Sequence, residues 1–269
     1  MPGRCCHGYA RALVEVLQRL VIYPLAGIPL VQEGDDLASL LQDALAQSGL
    51  SLQSGDIIVL AQKIVSKAEG RVFRLCDVKP TARAVELAGR TGKDPRLVQL
   101  ILDESTEVVR AVPGVLIVRH RLGIIGANAG IDQSNIEHPG GECALLLPLD
   151  PDRSAARLRD TLQQRTGNRL GVVISDSMNR PWRLGTMGQA IGSAGIQVLD
   201  DRRGQKDLFG RELRVTLTNR ADSIAAAACL VMGESIESVP AALVRGFAPE
   251  ESPQAARDSV RPTEEDLFL

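Results

Sequence analysis

The chain has 269 residues, 44% of them hydrophobic, which is enough for a substantial core and excludes disordered chains, collagen-like fibres and disulfide scaffolds. Its 31 Lys and Arg nearly balance 33 Asp and Glu at a net charge of −2, and no basic run stands out, so we expect no nucleic-acid partner. The longest apolar stretch, Ile224 to Met232, is about half of a membrane span, so we expect a soluble protein with no membrane partner.

The N-terminal half alternates signals for helix and strand. Residues 1–18 are basic, with apolar residues at helical spacing, which fits an amphipathic helix or a weak targeting-like segment. We predict a strand near 21–23, a helix over 37–46 after an acidic start, and a strand over 56–61. Asp94 and Pro95 form an N-cap and a first helical turn, which predicts a helix to about Val109. The acidic residues of that helix are expected on a solvated face; they are Asp103, Glu104 and Glu107.

The C-terminal half continues this alternation and predicts a mixed α/β fold. Residues 149–152 are typical of a turn, and Ser154 is expected to cap a helix that ends at Gly167. At this length, one large domain or two small intertwined domains are both open. The predicted strands cover 115–118, 124–127, 144–147, 170–175 and 241–244, and the last helix covers 223–232.

The five cysteines are an odd number without a C-x-x-C pair, which indicates reduced thiols and a cytoplasmic location. We expect Cys76, Cys143 and Cys229 to be small buried hydrophobes. Cys5 and Cys6 are not interpreted as metal ligands, because no partner ligands follow at zinc spacing.

Basic residues follow the predicted strand 56–61, at the kind of edge where open α/β sheets bind ligands. Lys63, Lys67 and Arg71 would supply cations for phosphate groups, and Ser66 would add a donor. An exposed charged loop explains the same residues equally well.

Acidic residues recur after other predicted strands. Asp132 and Asn135 lie in the small-residue segment 127–135, as oxygen ligands or as the self-capping residues of a turn. Asp176 stands between two serines at the end of strand 170–175. Together with Glu234, these carboxylates would form a hard-oxygen site for a divalent cation.

Four glycines, Gly185, Gly188, Gly192 and Gly195, are spaced as on one face of a helix. We interpret them as close-packing or dimer-contact residues in preference to a phosphate loop. Neither G-x-x-x-x-G-K-[ST] nor G-x-G-x-x-G occurs, so a bound nucleotide would need an unfamiliar loop.

Eight segments stand out as a set, and they are GIPLVQEGDDL, SKAEGR, NAGIDQSN, LLLPLDPD, ISDSMNRPWRLGTMGQAIG, KDLFGREL, DSIAAAACLVMGE and VPAALVRG. In this order and spacing, from about residue 21 to 247, they resemble the coenzyme F420-0:gamma-glutamyl ligase family. The resemblance implies the uncommon fold of that family, with mixed sheets and an intertwined, butterfly-shaped homodimer. It also divides the chain into an extension (1–20), a catalytic domain (21–248) and a polar tail (249–269).

The implied reaction is the GTP-dependent ligation of L-glutamate to the lactyl carboxylate of coenzyme F420-0, through an acyl phosphate, giving GDP and phosphate. Similar enzymes use Mg²⁺ or Mn²⁺, with two ions expected here, and are helped by K⁺. Lys63 and Lys67 would then offset charge on the transferring phosphoryl group. Arg180 and Arg183 are candidates for the coenzyme phosphate or the glutamate carboxylate, on chemical grounds alone.

The resemblance also implies two sets of binding residues. The implied metal ligands are Asp132, Asp176 and Ser177, with Glu234 nearby. The implied GTP contacts are Ile28, Pro29, Leu30, Val31, Gln62, Lys63, Lys67, Asn135, Leu230, Val231, Met232, Gly233, Glu234, Ser235, Ile236 and Glu237.

Two other functions remain open at this point. One keeps the metal and nucleotide site but uses a different or modified carboxylate acceptor, in a ligase or phosphotransferase. The other treats the glycine face and the buried strands as a dimeric binding module without metal-dependent GTP affinity.

Overall fold

The computed structural model describes residues 19–138, 140–247 and 252–266. In chain order, the strands are β1 (Val21–Pro24), β2 (Ile57–Ala61), β3 (Val72–Arg74), β4 (Ser105–Val112), β5 (Val115–His120), β6 (Ile125–Ala127), β7 (Cys143–Leu145), β8 (Gly171–Met178), β9 (Met187–Ala194), β10 (Leu199–Asp201), β11 (Leu217–Asn219) and β12 (Ala241–Arg245). The α-helices are α1 (Leu37–Gln47), α2 (Gln62–Ala68), α3 (Ala82–Thr91), α4 (Pro95–Asp103), α5 (Pro151–Thr166) and α6 (Arg220–Met232).

A five-stranded mixed sheet has the order β1-β12-β2-β8-β9, in which only β2 and β8 run parallel. Successive residues of a strand point to opposite faces, so the apolar run of β2 contributes to two cores. Ile58 and Leu60 pack with residues of α1 and α5 on one face, while Ile57 and Val59 pack with α6 on the other. Both faces of the sheet are therefore covered by helices.

A second region has its own core, built on the antiparallel sheet β4-β5-β6. Leu87 of α3 and Ile101 of α4 pack there with Leu116 and Val118 of β5. The β3-β7 pair flanks this region in the chain, because β3 precedes α3 and β7 follows β6. The prediction of a mixed α/β fold is confirmed.

Local patterns located most elements of the central sheet. Strands β1, β2 and β12 and helices α1 and α6 lie within a few residues of their predicted positions. Asp94 caps α4 through the N–H of Arg96, with Pro95 at the first helical position, as predicted. Gly167 ends α5 in the left-handed conformation, at φ 71°. Caps act within a few residues, so the sequence carries their signal.

The predicted helix to Val109 is wrong beyond Asp103. Residues 105–112 form β4, which pairs antiparallel with β5. Val108 and Val109 are β-branched and favour strand geometry once a partner strand is present. Glu104 is buried and not solvated, whereas Asp103 and Glu107 are exposed as expected.

Three further boundaries differ from the predictions. Helix α5 begins at Pro151 with Asp150 as its N-cap, so residues 149–152 start a helix and do not form a free turn. Residues 62–68 are helical, which corrects the alternative of an exposed charged loop. Strand β8 continues to Met178, beyond the predicted end at Ser175.

The glycine series lies on and beside strand β9, so its predicted helical geometry is wrong. A Cβ at Gly188 would be 2.5 Å from the Ala225 carbonyl oxygen of α6, and one at Gly192 would be 2.4 Å from the Pro151 carbonyl oxygen of α5. These approaches leave no room for a side chain, which supports the close-packing interpretation.

The remaining predictions concern cysteines, membrane contact and the termini. Cys143 is buried as expected, Cys229 is half-buried, and Cys76 is exposed, which corrects its prediction. Within the described residues, no helix has the length and apolar content of a membrane span. The predicted N-terminal helix, Cys5 and Cys6 lie outside the described residues. The division into 1–20, 21–248 and 249–269 stays a prediction.

Candidate functional site

The candidate site lies where the parallel strands β2 and β8 end. Ala61, the last residue of β2, pairs with Ser175 of β8, so Gln62 and Asp176 follow at the same edge of the sheet. Helix α2 starts directly at Gln62 and carries Lys63 and Lys67. Side chains at the carboxyl ends of neighbouring parallel strands are well placed to share a ligand.

Lys63 and Asp132 form the centre of the site. The Lys63 Nζ lies 2.6 Å from Asp132 Oδ2 and donates to Ser134 Oγ at 3.0 Å. Burial alone would raise the pKa of Asp132, but the Lys63 ammonium and the Ser134 donors outweigh it, so this pKa lies below its usual value. Asp132 is therefore an ionised carboxylate at neutral pH.

Asp176 has the opposite electrostatic setting. Burial and the nearby carboxylates of Asp132 and Glu234 raise the pKa of Asp176 to about 7, against the Ser177 N–H and the Lys63 ammonium, which lower it. The Ser177 hydroxyl donates to the Glu234 carboxylate, with Oγ to Oε distances of 2.7 and 2.6 Å. The site thus contains more negative than positive charge.

Lys67, also on α2, is linked by hydrogen bonds to Asn135 and, through it, to Ser235. Its Nζ donates to the Asn135 carbonyl at 2.8 Å, and Asn135 Nδ2 donates to the Ser235 carbonyl at 3.2 Å. Burial and the charge of Lys63 lower the pKa of Lys67, while Glu137 opposes the shift. Asn135 has a positive φ of 55°, which a short polar side chain tolerates better than most.

Gln62 offers an unused donor at the start of α2. The side chain is buried and its Oε1 accepts a hydrogen bond from Ser66 Oγ at 2.9 Å. Its Nε2 is buried without a partner among the described residues. A buried unsatisfied amide is costly, and a ligand acceptor would remove that cost.

The predicted loop 28–31 has alternating exposure. Ile28 and Val31 are buried in the core on the α1 face of the sheet, whereas Pro29 is exposed and Leu30 is 76% exposed. The same loop continues to Gly34, whose N–H donates to the Ala68 carbonyl at the end of α2. It therefore runs beside the helix that carries both lysines.

The segment 230–237 covers the end of α6 and the turn after it, and it also contributes to the site. Met232 is buried, Val231 is half-buried, and Leu230 and Ile236 are exposed. Gly233 has φ 75°, and the Ser235 N–H donates to Glu237 Oε2 at 2.7 Å, so the turn is held by its own groups. This turn brings Glu234 and the Ser235 carbonyl to the site.

Arg180 and Arg183 lie in the exposed segment after β8. The Arg180 guanidinium contacts the Met187 sulfur, and within the described residues Arg183 makes no hydrogen bond or ion pair. Neither contacts the carboxylates or lysines of the site. Their role with substrate stays a prediction.

Two residues of the site were not singled out from the sequence. Ser134 donates to Asp132 Oδ1 through both its N–H and its hydroxyl, at 2.8 Å each. Glu137 acts electrostatically on Lys67. The spacing Asp-x-Ser is typical of an Asx turn, so a turn signal was available for Ser134. Nothing in the sequence indicated Glu137.

The oxygens of this site suit a hard divalent cation. Asp132, Asp176, Ser177 and Glu234 all present oxygen, and the pKa of Asp176 is raised by burial first and by the neighbouring carboxylates second, both of which a bound cation would offset. No group of three Asp, Glu, His or Cys side chains in the described part of the chain forms a metal cage by itself. Mg²⁺ is commonly held by one or two carboxylates together with phosphates and water, which fits this arrangement.

Known proteins resemble this chain over nearly its whole length. A family model described as F420-0:Gamma-glutamyl ligase matches residues 27–246. A coenzyme F420:L-glutamate ligase of Methanothermobacter thermautotrophicus is 46% identical over 244 residues, covering 90% of this chain and 96% of the relative. Proteins of the same name from Methanopyrus kandleri (45%, covering 88% and 93%) and Archaeoglobus fulgidus (46%, covering 85% and 88%) are similar.

Proposed function

The chain belongs to the F420-0:gamma-glutamyl ligase family, and we propose that it ligates L-glutamate to the lactyl carboxylate of coenzyme F420-0 with GTP as co-substrate. The products would be F420-1, GDP and phosphate. One observation carries the proposal beyond family membership. Cationic and acidic side chains from four separate stretches meet at the ends of β2 and β8, with Lys63 2.6 Å from Asp132 and Asp176 electrostatically coupled to both.

The reaction needs an activated carboxylate. A carboxylate does not accept an amine at neutral pH until one oxygen becomes a leaving group, so the γ-phosphoryl of GTP is transferred to it and forms an acyl phosphate. The glutamate amine then attacks the carbonyl carbon, and phosphate leaves. Holding the amine and the carbonyl close together, away from water, is the main task of the protein.

The lysines and carboxylates of the site have complementary tasks. Lys63 and Lys67 would contact phosphate oxygens and offset charge on the transferring group. Asp132, Asp176, Ser177 and Glu234 would hold Mg²⁺ or Mn²⁺, with two ions and an accessory K⁺ as the proposed complement. Such divalent ions, when bound, neutralise the phosphates and align them for in-line transfer.

Nucleotide binding is proposed at the segments around α2. Gln62 Nε2, which has no hydrogen-bond partner among the residues that the structure describes, supports a polar ligand contact there. Loop 28–31 beside α2 and segment 230–237 would contact the base and ribose, with Asn135 linking the latter to Lys67.

Product analysis tests the proposal. The purified protein is incubated with F420-0, GTP, L-glutamate and Mn²⁺, and the products are resolved by mass spectrometry. We expect a coenzyme heavier by one or more glutamyl residues and an equivalent amount of GDP, with neither formed when one component is omitted. Glutamylation of a different carboxylate with F420-0 left unchanged would assign a different acceptor.

A homodimer is proposed for the active form. The chain between β10 and β11 carries Leu208 and Phe209 at 86% and 95% exposure, and Trp182 in the segment between β8 and β9 is 87% exposed. Large apolar side chains exposed in one chain are typical of an interface. Light scattering should give twice the chain mass, and the L208E/F209E variant should shift toward the monomer. A cytoplasmic location remains a prediction.

A further inference from the structure

A cavity of about 520 Å³ lies next to the candidate site and is not used by the residues described so far. Its walls come from the turn between β5 and β6, the start of α5, strand β9 and the C-terminal segment 256–266. The C-terminal segment is firmly attached, because Asp152 accepts the Ala256 N–H at 2.8 Å and binds Arg257 Nε at 2.8 Å. This volume suits a small organic ligand.

The carboxylates at the start of α5 are committed to the fold. Asp152 Oδ1 accepts N–H groups of Ser193 and Ala256, and its Oδ2 pairs with Arg257. Asp150 caps α5 and lies 3.3 Å from Arg257 Nη2. These two acids therefore do not leave unbalanced negative charge in the cavity; the third acid of the lining is Asp266.

Two arginines of the lining keep unused donors. Arg119 is 13% exposed and binds Glu107 through Nε, but its Nη2 is buried without a hydrogen-bond partner in the described part of the chain. Arg261 is exposed, and no hydrogen bond or ion pair with a described residue engages it. By contrast, Arg121 is fully used, by Glu104 and the Pro148 and Leu149 carbonyls. Arg119 and Arg261 are donors for an anion.

The cavity is also partly apolar. Ile124 and Ile191 are buried in the adjoining core, and Val260 packs against Gly123. The cavity therefore offers both cationic donors and apolar surface. A ligand that is complementary to both has an apolar or aromatic body together with an anionic group.

One wall connects the cavity to the acidic site. Gln189 lines the cavity and pairs with Asp176 across β8 and β9. Side chains of directly paired residues lie on the same face of a sheet, with Cβ atoms about 4.5–5.5 Å apart. A ligand in the cavity thus reaches the carboxylate cluster across a single residue.

We propose that this cavity binds the acceptor substrate, an aromatic compound whose arm carries a phosphodiester and ends in a carboxylate. Arg119 and Arg261 contact the phosphodiester oxygens, and the terminal carboxylate extends past Gln189 toward Asp176. The inference rests on the proposed function, since it takes F420-0 as the acceptor. Arg119 and Arg261 are binding residues for the acceptor and take no part in phosphoryl transfer.

The test compares Arg261→Gln and Arg119→Gln with Arg110→Gln, an exposed arginine on β4 outside the cavity. For each variant, the KM values for F420-0, GTP and L-glutamate are measured, together with F420-0 binding to the protein without GTP by calorimetry. We expect each cavity variant to raise the KM and Kd for F420-0 about tenfold and to leave both other KM values unchanged. Arg110→Gln should match the wild type.

The outcomes separate this inference from the proposed function. If Arg261→Gln and Arg119→Gln turn over F420-0 at the wild-type rate and bind it with unchanged affinity, the proposal for the cavity is wrong, whereas the proposed function stands. A raised KM for L-glutamate in place of F420-0 also overturns it, because the anion would then be the amino acid. If the wild type binds F420-0 and both variants bind it more weakly, but no protein shows ligation, the result supports the cavity as a binding site and contradicts the proposed function. If Arg119→Gln does not fold, the exposed Arg261 still decides the question.

Discussion

Two clusters of charged side chains lie at opposite ends of the segment 63–71, and they differ in charge balance. At one end, the buried Glu104 contacts Arg71 at 3.0 Å, Arg121 at 3.2 Å and His120 at 3.3 Å. Burial opposes ionisation there, but the hydrogen bonds from His120 and Arg71 and the charges of Arg71 and Arg121 outweigh it and lower the pKa of Glu104 to about 2. The Glu104 carboxylate is therefore neutralised by other parts of the chain.

The cluster at Lys63 has the opposite balance. Asp132, Asp176 and Glu234 outnumber the two lysines of the site, Lys63 and Lys67, and the pKa of Asp176 rises to about 7. A carboxylate saturated by cations stabilises the fold, whereas a surplus of clustered carboxylates favours binding of a cation or ligand from outside. The comparison therefore separates a structural ion cluster from a candidate active site on charge balance alone.

We expect the largest effect, on kcat, from variants that remove a carboxylate charge of the site. We expect Asp132→Asn and Asp176→Asn each to lower kcat about 10²- to 10³-fold, because the group that would hold the divalent ion against the phosphates is lost. Asp176→Asn should not lower the Tm, since it removes a carboxylate whose ionisation the fold disfavours. Steady-state kinetics and thermal unfolding measure both. Wild-type rates in both variants would falsify the assignment.

Glu104→Gln should instead act on stability. Removing the charge leaves the buried Arg71 without its partner and takes one partner from the exposed Arg121, and we expect a loss of about 3 kcal/mol in the free energy of unfolding. The matched control is Glu86→Gln, an exposed carboxylate 2.8 Å from Arg83, with an expected loss below about 1 kcal/mol. Urea denaturation measures both, and equal losses would show that burial is not the cause.

Lowering the pH should protonate Glu104 and remove its contribution to the free energy of unfolding within a defined pH range. Its folded pKa of about 2 lies below the ordinary glutamate value of 4.5, so its contribution to stability is present above pH 4.5 and is lost as the pH falls toward 2. The difference in unfolding free energy between wild type and Glu104→Gln should therefore shrink between pH 4.5 and 2. A difference that stays constant over that range would contradict the ionised cluster.

The smallest effect is expected at Lys67, which lies between the two clusters in the chain. Lys67→Ala should raise the Kd for GTP about tenfold, through loss of one charged phosphate contact. Calorimetric titration of GTP with Mn²⁺ measures it, with Lys79→Ala as an exposed lysine control. An unchanged Kd would show that Lys67 does not contact the nucleotide, and its role would then be the hydrogen bond to the Asn135 carbonyl.

Short-range patterns fixed the elements that depend on nearby residues. The N-cap Asp94, the following Pro95 and the C-terminal Gly167 each act within one turn of helix, and the apolar run of β2 needs no partner to be recognised. Candidate residues after strand ends, such as Lys63, Asp132 and Asp176, could also be selected from the sequence. Their residue types are informative because phosphate and divalent cations require cations and carboxylates.

Long-range pairing decided what those patterns could not. Glu104 resembles a surface residue of a helix until Arg71, His120 and Arg121 surround it from distant positions. Val108 leaves the helical pattern because β5 supplies a partner strand, and Gly188 lies on a strand because β9 pairs with β8, where the close crossing of α6 leaves no room for a side chain. The sequence determined which residues can carry charge, packing or a cap. Only the tertiary structure decided which charges are neutralised within the chain and which remain for a ligand, since electrostatic energy depends on distances between residues far apart in sequence.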